Sequence, residues 1–449
     1  MSDAAAPSPL QAVRDFPDRL PAMLVKELRQ GLRARLFAET AAGFHLLIMV
    51  LILPVVMTSS RESAGIPKLV WWIIAAALVV LLPLRGLSAM NQERRDHTLD
   101  TLILTNLRAG RIVWGKWLAI SAQILMVALS VLPYLLVLYS SGGLSLPNSL
   151  LTLLHLTLAG LVLTAAFIAL SWNDSWLHRL APALGLVWLA LWQWAGPAVD
   201  GLLRPSPQRL STGIPLPELL DRLALPTAVL AGAALIFVLL ESTAQRLAPG
   251  VESHQARCRL AGWGLIAVMA LGEDPVLSMA ALAILTLISL AALTEPWPLT
   301  LPPERVWHRW PGLAPGWPHG VLWALVAWPL AVAAHGGTGS PALPIAAWLA
   351  CGCLLLRSGP AAWKNRPWLL AATALIFMGG QAMLRLGAEL LNRPGLERWA
   401  GLLPSPVAFA GVAPHPGLPW LAVAAALGCL ARAALALRRQ ETAGIGGPA

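Results

Sequence analysis

Side chains able to do chemistry are scarce in this chain, and their spacing excludes most catalytic machinery. Only 12% of residues are charged, against 57% apolar. No H-E-x-x-H motif offers a zinc site, no G-x-S-x-G seats a serine nucleophile, and no paired-aspartate metal-diphosphate motif occurs. The chain holds four lysines, Lys26, Lys68, Lys116 and Lys364. The sole Gly-Lys step is Gly115-Lys116-Trp117, so no Walker A loop is present to cradle nucleotide phosphates. A process driven by ATP would need the nucleotide on another chain. Cys258, Cys351, Cys353 and Cys429 lie in or beside apolar runs without a C-x-x-C spacing, and read as small buried hydrophobes. Glu273-Asp274 is an isolated acidic pair, too little for acid–base chemistry across a membrane face. The chain is therefore not expected to be an enzyme, and no cofactor or metal is expected on it.

The densest polar chemistry lies in residues 91–117, "NQERRDHTLDTLILTNLRAGRIVWGKW". Leu99, Leu102, Ile103 and Leu107 recur at helical spacing, while Thr98, Asp100, Thr101 and Thr105 fall on other faces. Asp96 or Thr98 can cap such a helix, and the acidic residues suit its N-terminal dipole. A helix of about ten residues is marginal alone in water, so its apolar edge needs somewhere to dock. The plain alternative is a loop packed on its own bundle; the other is a contact surface for a separate, soluble protein.

The elements around this insert are those of a membrane protein. Mean hydropathy is +0.67 over 449 residues. Continuous Leu/Ala-rich runs near 20 residues match the roughly 30 Å hydrocarbon core at 1.5 Å rise per residue, and they do not alternate as strands would. The spacing predicts an all-α, polytopic bundle of about 12 transmembrane helices (10–12), at 43–58, 68–90, 111–140, 149–171, 180–200, 224–242, 259–272, 276–294, 319–335, 342–357, 367–386 and 418–437. With both termini cytoplasmic, inside segments hold about 22 Lys/Arg and outside ones about 7, the positive-inside asymmetry. The net charge of +10 thus reflects loops rather than a nucleic-acid surface. The run 259–272 is short for a crossing, but laying it on the surface would turn Arg305, Arg309, Arg357, Lys364 and Arg366 outward. A full or re-entrant crossing with "GEDP" (272–275) as its turn is preferred. No apolar leader is legible in the first forty residues, so insertion is expected from an internal helix.

Several residues are assigned roles by position. Residues 19–37 read as an amphipathic helix, with Leu24, Leu28, Leu32 and Leu36 on one face and Lys26, Arg29 and Arg33 beside them, fitting a membrane–water interface and its anionic lipids. Trp71, Trp72, Trp114, Trp117 and Trp420 read as interface anchors. Arg85 is expected to snorkel, as are Arg385 and Arg432, which are also candidates for pairing or lipid-headgroup contact; Glu241 is expected at a helix end, and His45 and His155 as hydrogen-bonded packing residues. The loops are Pro/Gly-rich and too short for a soluble catalytic domain. "GLLRPSP" (201–207) and "GLLPSP" (401–406) hint at two halves, though chance explains them equally.

The insert and its flanks resemble ABC-2-type permeases, the membrane subunits of ATP-binding cassette exporters. Glu93-Arg94 corresponds to that family's charged start, Thr98-Leu99-Asp100-Thr101-Leu102 and Thr105 to its coupling helix, and Ile112-Val113-Trp114-Gly115-Lys116 to the entry of the third span. "LVKELRQGLRARLF" (24–37) is similar to its interfacial connecting helix and "LPLRGLSAMNQER" (82–94) to its second-span exit. His97 stands where the family commonly has Gly, and Asn106 where Pro often follows the Thr. The likeness covers residues 20–140, extends by topology to about 245, and beyond that rests on hydropathy.

The resemblance implies a three-part organisation: 1–42, a cytoplasmic segment with the interfacial helix; 43–245, a six-helix ABC-2-type domain with the coupling helix at 92–107; and 246–449, additional C-terminal helices. It implies a permease subunit, for export, in the plasma (inner) membrane. Its partners would be an ABC ATPase subunit that uses the ATP, a second permease chain, and membrane lipids. Residues 251–449 as a degenerate second half remain an open alternative. Glu93, Thr98, Leu99, Asp100, Leu102 and Thr105 would meet the ATPase; Lys26, Arg29 and Arg33 would hold the membrane interface. Two other readings stand beside this one: a membrane-embedded enzyme of lipid or glycan metabolism, and a non-transporting scaffold that recruits an ATPase.

Overall fold

The computed structural model describes residues 22–33, 35–57, 66–95, 108–140, 145–171, 225–247, 254–272, 275–296, 311–335, 340–360, 367–390, 402–404 and 415–445. All regular elements among these are helical. They form two compact units, Met1–Leu225 and Pro226–Ala449. Seven helices are long and apolar enough to cross a bilayer, and two shorter apolar helices accompany them. The span expected at 180–200 lies outside the described residues.

In the first unit, α1 (Ala22–Arg33) precedes α2 (Arg35–Met57). The helix α3 (Ile66–Ala75) continues through a π-helical segment (Ala76–Leu81) and one turn (Leu82–Leu84) into α4 (Gly86–Arg95). Two long helices, α5 (Ala109–Ser140) and α6 (Leu146–Leu170), complete the unit. The core collects Ile74, Leu78, Ile124, Val131, Leu135 and Leu156. Leu46, Met49, Val50 and Leu53 on α2 and Leu125, Met126 and Leu129 on α5 are exposed. Apolar faces of that extent suit lipid, not water. The helix α5 runs through Pro133 without ending.

Packing around the π-helical segment is close. A Cβ placed on Gly160 of α6 would run into the backbone carbonyl of Leu78, whereas one on Gly43 of α2 would meet nothing within 4 Å. Gly160→Ala should therefore lower stability by about 1–3 kcal/mol through overpacking against backbone. Gly43→Ala should raise it by about 0.5–1 kcal/mol through helix propensity. Thermal unfolding of the two variants in detergent should move in opposite directions.

The second unit contains α7 (Leu225–Leu247), α8 (His254–Leu271), α9 (Pro275–Thr294), α10 (Trp317–Ala334), α11 (Ala342–Ser358), α12 (Pro367–Leu390) and α13 (Leu418–Ile445). The expected short span at 259–272 is in fact a helix of 18 residues that starts at His254. Its start is set by a side chain the sequence reading passed over. Gln245 Oε1 accepts the backbone N–H of His254 at 2.7 Å and of Gln255 at 3.1 Å, satisfying amides that a helix N-terminus leaves open. Only three residues separate α8 from α9, and the two pack together as a hairpin. The apolar core gathers Leu285, Ile288, Trp323, Ala327, Ala347 and Trp348. These tryptophans are core residues, Trp323 packing so close to Gly262 that a Cβ there would meet its ring. Trp328 Nε1 donates to Ser289 Oγ at 2.9 Å and Trp348 Nε1 to Thr373 Oγ1 at 2.9 Å.

Candidate functional site

The polar residues of the first unit converge where α1 meets the lower part of α5, just after the 96–107 insert. Lys116, two turns into α5, is 5% exposed. Its Nζ donates to Glu27 Oε1 on α1 at 2.8 Å. One turn along α1, Gly31 lies so close to α5 that a Cβ there would collide with the Gln123 amide. Gln123 is buried and its Oε1 accepts a hydrogen bond from Arg85 Nη1. One polar seam thus ties α1, the α3–α4 junction and α5. A buried ammonium is costly unless paired, so the Glu27–Lys116 bond fixes where α1 can sit. The sequence expectation of a snorkelling Arg85 is corrected by this seam: the guanidinium turns to Gln123 on a neighbouring helix.

The exit of the second span is also pinned. Gly86 abuts the Thr164 carbonyl and Phe167 of α6. Farther along α4, the Met90 N–H donates to Ser171 Oγ at 3.3 Å. Trp117 Nε1 donates to the Leu161 carbonyl at 3.1 Å, so this tryptophan joins two helices as well as standing near a helix end. The insert therefore leaves from Arg95 of α4 and returns at Ala109 of α5, both belonging to helices that are braced in the same unit.

Thr98, Leu99, Asp100, Leu102 and Thr105 lie outside the described residues, as does the side chain of Glu93, whose backbone is in α4. Lys26 and Arg29 are exposed on α1, Leu24 and Leu28 half-buried, and the side chain of Arg33 lies outside the described set. The structure thus brings together Glu27, Lys116, Arg85 and Gln123, of which sequence reasoning had weighed only Lys116 and Arg85. The missed signal was the glutamate of "KEL" (26–28) within a basic helix, a charge out of keeping with its neighbours. Replacing Lys116 by methionine removes a charge-assisted hydrogen bond to the part-exposed Glu27, at a cost of about 2 kcal/mol. Hydrogen exchange across 22–33 is expected to accelerate about thirtyfold. Glu27→Gln in the same chain should recover much of the protection.

The second unit carries a polar layer of its own. Arg259 is fully buried; its Nη2 meets Glu295 Oε2 at 2.6 Å, and its Nη1 donates to the carbonyls of Gly312 at 2.9 Å and Ala314 at 2.6 Å. Burial pushes the Glu295 carboxyl above its ordinary range, while Arg259 and a backbone hydrogen bond with Gly316 pull it back. Glu241, expected at a helix end, is instead 3% exposed, with Oε2 2.7 Å from His254 Nδ1 and 3.5 Å from Arg257 Nη1. Arg432, expected to snorkel, donates to the Arg357 carbonyl at 2.8 Å; the side chain of Arg385 lies outside the described set. His155 Nδ1 pairs with the Leu151 carbonyl at 2.9 Å as expected, whereas His45 stacks on Tyr134. Cys258, Cys353 and Cys429 are buried and free, which agrees with their reading as small hydrophobes.

These features define an all-helical protein of the multi-pass membrane class. No protein-family model, no curated protein and no solved structure matches the chain.

Proposed function

We propose that this chain is the permease subunit of an ABC-2-type transporter in the plasma (inner) membrane, exporting a substrate with energy from a separate ATPase subunit. The supporting observation is the polar seam at the base of the first unit: α1 is clamped to α5 by Glu27–Lys116, seven residues beyond Ala109, where the chain returns to the bundle. The coupling helix at 92–107, bound in an ATPase groove, would push on α4 and α5 at their roots. The brace to α1 makes those roots move as one body, as a switch between two access states requires. Glu93, Thr98, Leu99, Asp100, Leu102 and Thr105 form the ATPase contact, and Lys26, Arg29 and Arg33 meet lipid headgroups.

The bundle comprises about 12 spans with both termini cytoplasmic. Supporting this orientation, the second unit's linked charged residues join the C-terminal ends of α7, α9 and α11 to the N-terminal ends of α8 and α10. In an up-and-down bundle those ends share one side, and arginine marks the cytoplasmic one. A second permease chain completes the transporter.

The test is reconstitution. Vesicles holding this chain and the ATPase that copurifies with it in mild detergent should lose or gain a hydrophobic dye or lipid only with ATP. ATPase binding without movement would identify a scaffold instead, and no copurifying ATPase would remove the reading altogether.

A further inference from the structure

The second unit carries an open-sided cavity of about 330 Å³ between α10, α11 and α13, with Leu293 of α9 also in its wall. Its wall runs along α10 from Val321 to Val332, along α11 from Leu343 to Cys353, and along α13 from Pro419 to Cys429. Eleven steps of α10 at 1.5 Å make it roughly 16 Å long, about half of the roughly 30 Å hydrocarbon core, the depth of one leaflet. The wall is aliphatic and aromatic apart from two thiols, so water has no partners in it.

One end of this slot is cationic. Arg357 stands one turn beyond Cys353 on α11 and donates from Nη2 to the carbonyl of Leu293, itself a wall residue, at 2.6 Å. Its guanidinium lies 4.1 Å from the Trp317 ring centroid, and its Nε has no hydrogen-bond partner. Arg432, three residues beyond Cys429 on α13, is exposed and donates to the Arg357 carbonyl. Among the described residues no carboxylate pairs with either arginine. Arg357, at the C-terminal end of α11 and beside Trp317, and Arg432 on α13 form a cation–tryptophan cluster of the kind found where headgroups begin.

We infer that this slot is a site for one acyl chain of an anionic phospholipid, the chain lying against α10, α11 and α13 and the phosphate at Arg432 with Arg357 beneath it. Length argues for a single chain, because the wall covers one leaflet and no more. Charge argues for an anionic head, since guanidinium binds phosphate oxygens in a paired, charge-assisted geometry. A zwitterionic lipid gains the chain contacts but brings no net charge to the two cations. The inference needs only a membrane protein and stands apart from the permease proposal.

Native mass spectrometry of the full chain in detergent, titrated with phosphatidylglycerol or phosphatidylcholine of equal chain length, tests it. Phosphatidylglycerol should be retained at one tight site, at least tenfold more tightly than phosphatidylcholine. Arg432→Gln, at an exposed position, should bring phosphatidylglycerol down to the phosphatidylcholine level while leaving the latter unchanged, which also reports an intact fold. Ala346→Phe, which fills the slot, should abolish the tight site for both. Equal retention of the two lipids, an unchanged ratio in Arg432→Gln, or undiminished occupancy in a folded Ala346→Phe protein would each overturn it.

Discussion

Arg259→Leu is expected to be the most destabilising single change in the second unit. The guanidinium is fully buried and answers Glu295 and the carbonyls of Gly312 and Ala314 together. It thereby closes the segment leading into α10 over the ends of α8 and α9. Leucine would leave a buried carboxylate and two carbonyls without these donors. Breaking a buried pair from one side costs about 3–5 kcal/mol, comparable to a large share of a domain's net stability. The detergent-solubilised variant should unfold many degrees below the parent, or fail to accumulate. Adding Glu295→Leu removes the orphaned charge and should restore part of the loss, leaving the carbonyls' share. A parent-like unfolding temperature for Arg259→Leu alone would show that the Arg259 contacts are not what holds this segment.

Leu102→Asp should have the largest effect on association. In the proposed coupling helix Leu102 belongs to the apolar edge that enters the ATPase groove. Removing a buried leucine costs about 1.5–3 kcal/mol and burying an unpaired carboxylate costs more. Together these weaken binding at least about a hundredfold. Copurified ATPase should vanish while the chain itself remains folded in the membrane, because the insert lies outside the bundle's apolar runs. Undiminished copurification would reject the docking role of the insert, whichever way the remainder of the chain is assembled.

How much of this was legible beforehand varied with the kind of signal. Membrane-spanning helices were readable because the hydrocarbon core imposes a length and an apolar composition on any crossing segment. The seven long apolar helices fall where hydropathy placed spans. The helix before the first span was readable from its four-residue leucine repeat, with α1 running over Ala22–Arg33 and α2 starting at Arg35. Charge partners were not readable. Glu241 looked like a residue at a helix end, yet it pairs with His254, the first residue of the next helix. Arg85 looked free to snorkel, yet Gln123, 38 residues away, takes its hydrogen bond. Likewise, Trp328 and Trp348 found hydroxyl partners on other helices.

The sequence by itself determined that this is a helical membrane chain and where its long apolar helices run, because lipid selects on local composition. Only the tertiary structure decided which polar groups meet. It clamped Glu27 to Lys116, buried Arg259 against Glu295, and opened an apolar slot between α10, α11 and α13. Pairing of that kind depends on which faces pack together, and long-range packing leaves no periodic trace in the residues that take part.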